Sequence, residues 1–195
     1  MSSSSGAKTA PIPYGARYRP WLWPLHILSR YTAPVPPGLY LVNTFFQRVL
    51  GVNAQVPWNV HFTSRVIEDV KIGRNVWVSF AVSGGCYVQG GNGVEIGDDT
   101  IFAPGVKIIS ANHDHNDLTR WVPTSPIRIG KRCWIGTNAV ILPGVGLGDG
   151  VIVGAGAVVN RSFPAAAIIG GVPARVLTSS SGTAFGRTLS QEEES

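Results

Sequence analysis

The sequence predicts an all-β fold, a parallel β-helix, and three observations predict it. Aliphatic or small residues recur every six positions from Val66 to Val159. A second series of the same character runs two positions ahead of the first. Glycine follows the main series repeatedly, at Gly73, Gly97, Gly130, Gly136, Gly148 and Gly154, where a sharp bend needs a residue free of the Cβ penalty at positive φ.

The main series reads Val66, Ile72, Val78, Gly84, Gly90, Ile96, Phe102 and Ile108, then Ile129, Ile135, Ile141, Leu147, Val153 and Val159. The second reads Val70, Val76, Val82, Val88, Val94, Thr100, Val106, then Ile127, Cys133, Ala139, Val145, Val151 and Ala157. A helical stripe or a long alternating strand loses register with a six-residue beat within two or three repeats. Short strand, bend, short strand, bend keeps it. Three units, roughly eighteen residues, close one triangular coil, and stacked coils bury the slot residues in one column while their backbones pair between coils. Residues 57–177 are therefore expected to form four to five coils.

Residues 1–56 are read as an N-terminal arm and a short helix. The segment Tyr14 to Pro37 is rich in proline and aromatics and is expected to drape over a neighbour. From Gly38 to Leu50, Leu39, Val42, Phe45, Phe46 and Val49 recur at helical spacing, and Gly51 is a stop signal. One amphipathic helix with that apolar face packed on the solenoid's N-terminal end is expected. Residues 178–195 end in Gln-Glu-Glu-Glu-Ser and read as a flexible, solvated tail.

Composition narrows the function. With 24 glycines in 195 residues and 14% charged side chains, the chain suits a turn-dense solenoid. The run Trp21 to Leu28 is too short for a signal peptide, carries Pro24 and His26, and lacks a small-residue cleavage site. No stretch approaches a membrane span. The two cysteines, Cys86 and Cys133, fit a reduced cytoplasmic protein, with Cys133 in an inward slot as a small buried thiol. The net charge of +5 comes from scattered basic residues with no stacking motif, so nucleic acid is not an expected partner.

The beat breaks once, between Ile108 and Ile129, so residues 110–126 must be extruded as a loop. Two of the chain's four histidines, two aspartates, an arginine and a tryptophan fall in the nine residues His113 to Trp121. Histidine is the side chain best able to exchange a proton near neutral pH, and loops on rigid scaffolds are where such groups are placed. His113 and its rival His115 are the candidate bases.

The hexads of the Ile-Gly-x-x-x-x kind, Ser110-Ala111-Asn112-His113, the stretch Ile129 to Gly136, Gly154-Ala155-Gly156 and Gly171-Val172-Pro173-Ala174-Arg175 together resemble the hexapeptide-repeat acyltransferases. Among these the likeness is to the maltose and galactoside O-acetyltransferases and the acetyltransferases of polysaccharide biosynthesis. The resemblance implies a left-handed β-helix and transfer of an acetyl group from acetyl-CoA to a sugar or glycan hydroxyl. It implies His113 as general base, and direct transfer without an acyl-enzyme. The pantetheine arm is expected along Trp134, Thr137 and Ala155, and the nucleotide end at Asn160, Arg161 and Arg175, with Thr178 where relatives carry a further basic residue. Asp114, Tyr87 and Trp121 are the candidate acceptor contacts. The family's acceptor-orienting asparagine has no counterpart: the position falls on Ala81 or Gly85. The resemblance also implies a homotrimer with sites between subunits. His26 and His61 receive no role.

Three alternatives share the scaffold: an aminosugar N-acyltransferase, a zinc hydro-lyase of the γ-carbonic anhydrase type, and a non-catalytic assembly solenoid. The zinc site needs three converging histidines, and beside His113 and His115 the only other nearby candidate is His61, so no metal is expected.

Overall fold

The computed structural model describes residues 34–179. Most of the aromatic arm and the residues after 179 lie outside them. One compact unit begins at Gly38.

Helix α1 (Pro37–Arg48) starts on a proline, whose fixed φ suits the first helical position, and closes with Arg48 in its last turn and Gly51 at φ 74°. Its packing differs from expectation. Val42, Phe45 and Val49 are exposed, and the buried face carries the amides Asn43 and Gln47. Asn43 Nδ2 donates to Ala81 O (3.0 Å) and Asn59 Oδ1 (2.8 Å), and Gln47 Nε2 donates to the carbonyls of Asn53, Val56 and Trp58. Backbone carbonyls at the open end of the stack need donors that apolar side chains lack.

The strands follow in order: β1 (Arg65–Ile72), helix α2 (Val76–Val82), β2 (Tyr87–Ile96), β3 (Ile101–Phe102), β4 (Lys107–Ile109), β5 (Ile127–Ile129), β6 (Trp134–Ile135), β7 (Val140–Ile141), β8 (Gly146–Leu147), β9 (Ile152–Val153), β10 (Val158–Val159), β11 (Ala167–Gly170) and β12 (Arg175–Ser179). All but the β11–β12 pair are parallel. Arg128 pairs with Gly146, Trp134 with Ile152 and Val140 with Val158, each eighteen residues on. Three ladders result. The first stacks β1, the start of β2, β4, β7 and β10; the second stacks the end of β1, the end of β2, β5 and β8; the third stacks β3, β6, β9 and β11, with β12 on its edge.

Both six-residue series point inward from Val94 onward: from Thr100 to Val159 every slot is at most 4% exposed. Corners between the third and first ladders use one left-handed residue per coil, at Gly85, Gly105, Asn138 and Gly156. Such a corner favours glycine or asparagine, which adopt positive φ at the least cost.

The upper coil departs from the beat twice. Val76–Val82 is a helix, burying Val76, Ser79, Phe80 and Ala81 at helical spacing, so Val78 is only half-buried and Val82 is exposed. Val88 pairs with Ile108 and Val94 with Ile127, so the corner Gly90–Gly93 holds two extra residues and Gly90 is not a core slot. A short apolar run reads alike as helix or strand when packing decides the outcome.

Candidate active site

Lys107 pairs with Val140, thirty-three residues on, where the undisturbed repeat gives eighteen. The excess is the loop between β4 and β5, at the corner joining the first ladder to the second. It folds back as a small hairpin. His113 bridges Trp121 antiparallel, Val122 N–H donates to Asn112 O (2.9 Å), and Asp114 N–H donates to Arg120 O (2.9 Å). Asp114 and Asp117 shape the turn: Asp114 accepts from Asn116 N–H (2.8 Å), and Asp117 accepts from Thr119 N–H (3.0 Å) and its hydroxyl (2.6 Å). The Thr119 hydroxyl, then its N–H, hold the Asp117 carboxyl below its ordinary pKa.

His113 Nδ1 lies 2.7 Å from Leu118 O. A carbonyl oxygen only accepts, so Nδ1 carries the proton and Nε2 keeps its lone pair. The Trp121 ring stands edge-on to the imidazole, centroids 6.5 Å apart at 76°. His115 is exposed and meets Asp114 at 3.9 Å and Asn116 at 3.3 Å. His113, Asp114 and Trp121 are thus brought together.

Asn160 and Arg161 lie on the same corner two coils below, exposed, with Arg161 over the Phe163 ring at 5.1 Å. Thr137 and Ala155 lie elsewhere, on successive coils of the corner between the third and first ladders, both exposed. Among the described residues their backbone N–H groups have no hydrogen-bond partner. Trp134 projects from the third ladder, 51% exposed. Arg175 opens β12, its guanidinium donating to Ala174 O. Tyr87 stands on the outer column of the first ladder, in register with Lys107. Within one chain the first ladder therefore separates the His113 loop from Thr137 and Ala155.

Two features depart from the expected roles; the sequence offers Gln89, like Tyr87, only as an acceptor contact. Gln89 and Asn92 bind the loop to the coil above: Gln89 Oε1 accepts Ala111 N–H (3.0 Å), and the Asn92 amide reaches both loop stems. The glycines around Asn92 were the available signal, since they spoil the core slot. The second feature is His61. Its Nδ1 receives Thr63 N–H (3.3 Å) and the Thr63 hydroxyl (2.9 Å), while Thr63 Oγ1 accepts Gly85 N–H (2.9 Å). His61 therefore carries its proton on Nε2. Burial lowers its pKa, which favours the neutral ring. Among the described residues no group of three or more His, Cys, Asp or Glu is placed to hold a metal ion.

A parallel stack of six-residue units defines a class, and known proteins match it. Residues 126–161 match the family model described as the hexapeptide repeat of succinyl-transferase. Galactoside O-acetyltransferase of Escherichia coli is 34% identical over 140 residues, 70% of this chain and 66% of that protein. An Escherichia coli protein provisionally named colanic acid biosynthesis acetyltransferase WcaF is 31% identical over 73% of this chain and 77% of its own length. The solved structure of galactoside acetyltransferase in complex with coenzyme A superposes with a TM-score of 0.50 at 29% identity, over 60% of this chain and 62% of that one. The chain thus spans about two thirds of the first curated relative, and 49% of the second. It belongs to the hexapeptide-repeat acetyltransferases.

Proposed function

We propose that this chain transfers an acetyl group from acetyl-CoA to a hydroxyl of a sugar or glycan, with His113 as general base. The observation that carries the reading is the Leu118 carbonyl at His113 Nδ1, which leaves Nε2 free to accept a proton. In the step, the acceptor hydroxyl gives its proton to Nε2 as its oxygen attacks the thioester carbon. The tetrahedral oxyanion collapses, the carbon–sulfur bond breaks, and the imidazolium returns the proton to the departing thiolate. Such base catalysis contributes roughly a hundred- to ten-thousand-fold.

The free N–H groups at Thr137 and Ala155 suit the amide carbonyls of a pantetheine arm, running past Trp134. Arg161, with Asn160 beside it, and Arg175 suit phosphate. Thr137 and Ala155 occupy a different corner of one chain from the His113 loop, which supports a cyclic trimer of left-handed β-helices with each site shared by two subunits. Asp114, Trp121 and, from the adjoining subunit, Tyr87 are the acceptor contacts in this reading.

The test is mass spectrometry of a panel of sugars and aminosugars incubated with acetyl-CoA. Acetyl esters on sugar hydroxyls support the proposal. Acetamides formed only on aminosugars replace it with N-acyl transfer.

A further inference from the structure

The His113 loop leaves the stack at Ser110 and returns at Pro126, and a connection this long does not hold one geometry by itself. The coil above it supplies the restraint. From the Gly90–Gly93 corner, Asn92 Nδ2 donates to Ser110 O (3.0 Å) and Val122 O (3.0 Å) and reaches Thr124 Oγ1 (2.9 Å). Carbonyl oxygens only accept, so the nitrogen of this amide, not its oxygen, faces the loop. The Asn92 backbone N–H donates to Ser110 Oγ (3.0 Å), and Thr124 Oγ1 donates to Ser110 O (3.2 Å). Ser110 is fully buried, so the stem end of this junction is shielded from water, while the Asn92 bonds to Val122 and Thr124 lie at the surface.

One side chain thus ties the outgoing stem at Ser110 to the returning stem at Val122 and Thr124. Its neighbour acts with it. A Cβ at Gly91 would lie 2.6 Å from Trp121 Cζ3, so only a residue without a side chain admits the Trp121 ring there. Trp121 is the backbone partner of His113 and stands edge-on to its ring. Stem spacing, Trp121 seat and imidazole direction form one mechanical chain.

We propose that Asn92 is a positioning residue of the transferase site: its amide fixes the spacing of the loop stems and so the direction in which His113 presents Nε2. This rests on the reading of His113 as base, but its effect on the loop exists whether or not that reading holds. Asn92→Asp is the direct probe, because it keeps the shape and turns a carboxylate oxygen toward two carbonyl oxygens.

The experiment compares the full chain with Asn92→Asp, Asn92→Ala and Asn116→Ala, a loop-tip control. Turnover of acetyl-CoA is read by free-thiol release, with methyl β-galactoside and with water as acceptor. Amide exchange over residues 111–122 and the His113 ring resonance are followed in parallel. A misplaced base costs about a hundredfold, so kcat in the two Asn92 variants falls by about that factor, while KM for acetyl-CoA stays within about twofold. Loop amides exchange faster, the His113 resonance shifts, and Asn116→Ala changes neither. Folded Asn92 variants with wild-type exchange and an unmoved resonance overturn the proposal. So does a loss shared by kcat, KM and global stability, which marks a merely structural residue. If His113→Ala retains full turnover, the base reading fails separately, and exchange and resonance still decide the role of Asn92.

Discussion

His113 and His61 hold opposite tautomers within one chain: Leu118 O accepts from Nδ1 of the first, and Thr63 donates to Nδ1 of the second. In each case a backbone group settles the matter, since a carbonyl cannot donate and an N–H cannot accept. The first presents a lone pair at Nε2, as a base must. The second presents a proton there.

His61 makes stability depend on pH. Burial depresses its folded-state pKa below the ordinary 6.5, so the unfolded chain binds more protons below neutrality. Its contribution is fully present above that ordinary value and is lost as pH falls through it toward the folded pKa. Thermal melts between about pH 7.5 and about pH 5.5 should therefore show a steeper acid-side loss for the native protein than for His61→Gln.

Neither cysteine is built to react. Cys86 and Cys133 are free, buried, and raised in pKa, first by desolvation. The thiolate is the nucleophilic form, and both sites suppress it. Iodoacetamide at neutral pH should leave transfer activity within about twofold, and no acetylated cysteine should appear in the intact mass during turnover.

The core gives two different costs for two similar-looking changes. Ile135 is fully buried between Phe102 and Val153 in the third ladder, and Ile135→Ala should cost about 2–5 kcal/mol in denaturant unfolding. Thr100 is also fully buried, but its hydroxyl donates to Gly130 O (2.7 Å) and accepts Cys133 N–H (3.0 Å). Thr100→Val keeps the volume and orphans both partners, at about 1–3 kcal/mol each.

A site shared between subunits predicts complementation. His113→Ala disables one corner, and Ala155→Trp blocks the other. Each variant alone should be inactive, while random mixed trimers recover about a quarter of wild-type activity, one intact site in four. Mixtures that stay inactive contradict a shared site.

Much of this was legible because the six-residue beat is a packing rule. Every slot from Thr100 to Val159 is buried, and the one large break among them, between Ile108 and Ile129, located the His113 loop. The beat failed where another element competes for the same apolar residues. Val76 to Val82 satisfy a helix as well as a strand, and only burial of Phe80 and Ala81 chooses between them. The α1 face was misread for a related reason: the open end of a β stack exposes carbonyls, so Asn43 and Gln47 dock where Phe45 was expected. Asn92 was invisible because its partners, Ser110 and Val122, meet it only after the loop is extruded. Tautomers were beyond reach for the same reason, resting on Leu118 O and Thr63 N–H.

The most direct measurement is free-thiol release from acetyl-CoA in the presence of a sugar acceptor, native protein against His113→Ala. The account predicts acceptor-stimulated release that falls by about a hundred- to ten-thousand-fold in the variant, with its fold and acetyl-CoA affinity unchanged. Equal acceptor-stimulated release from both proteins would contradict it.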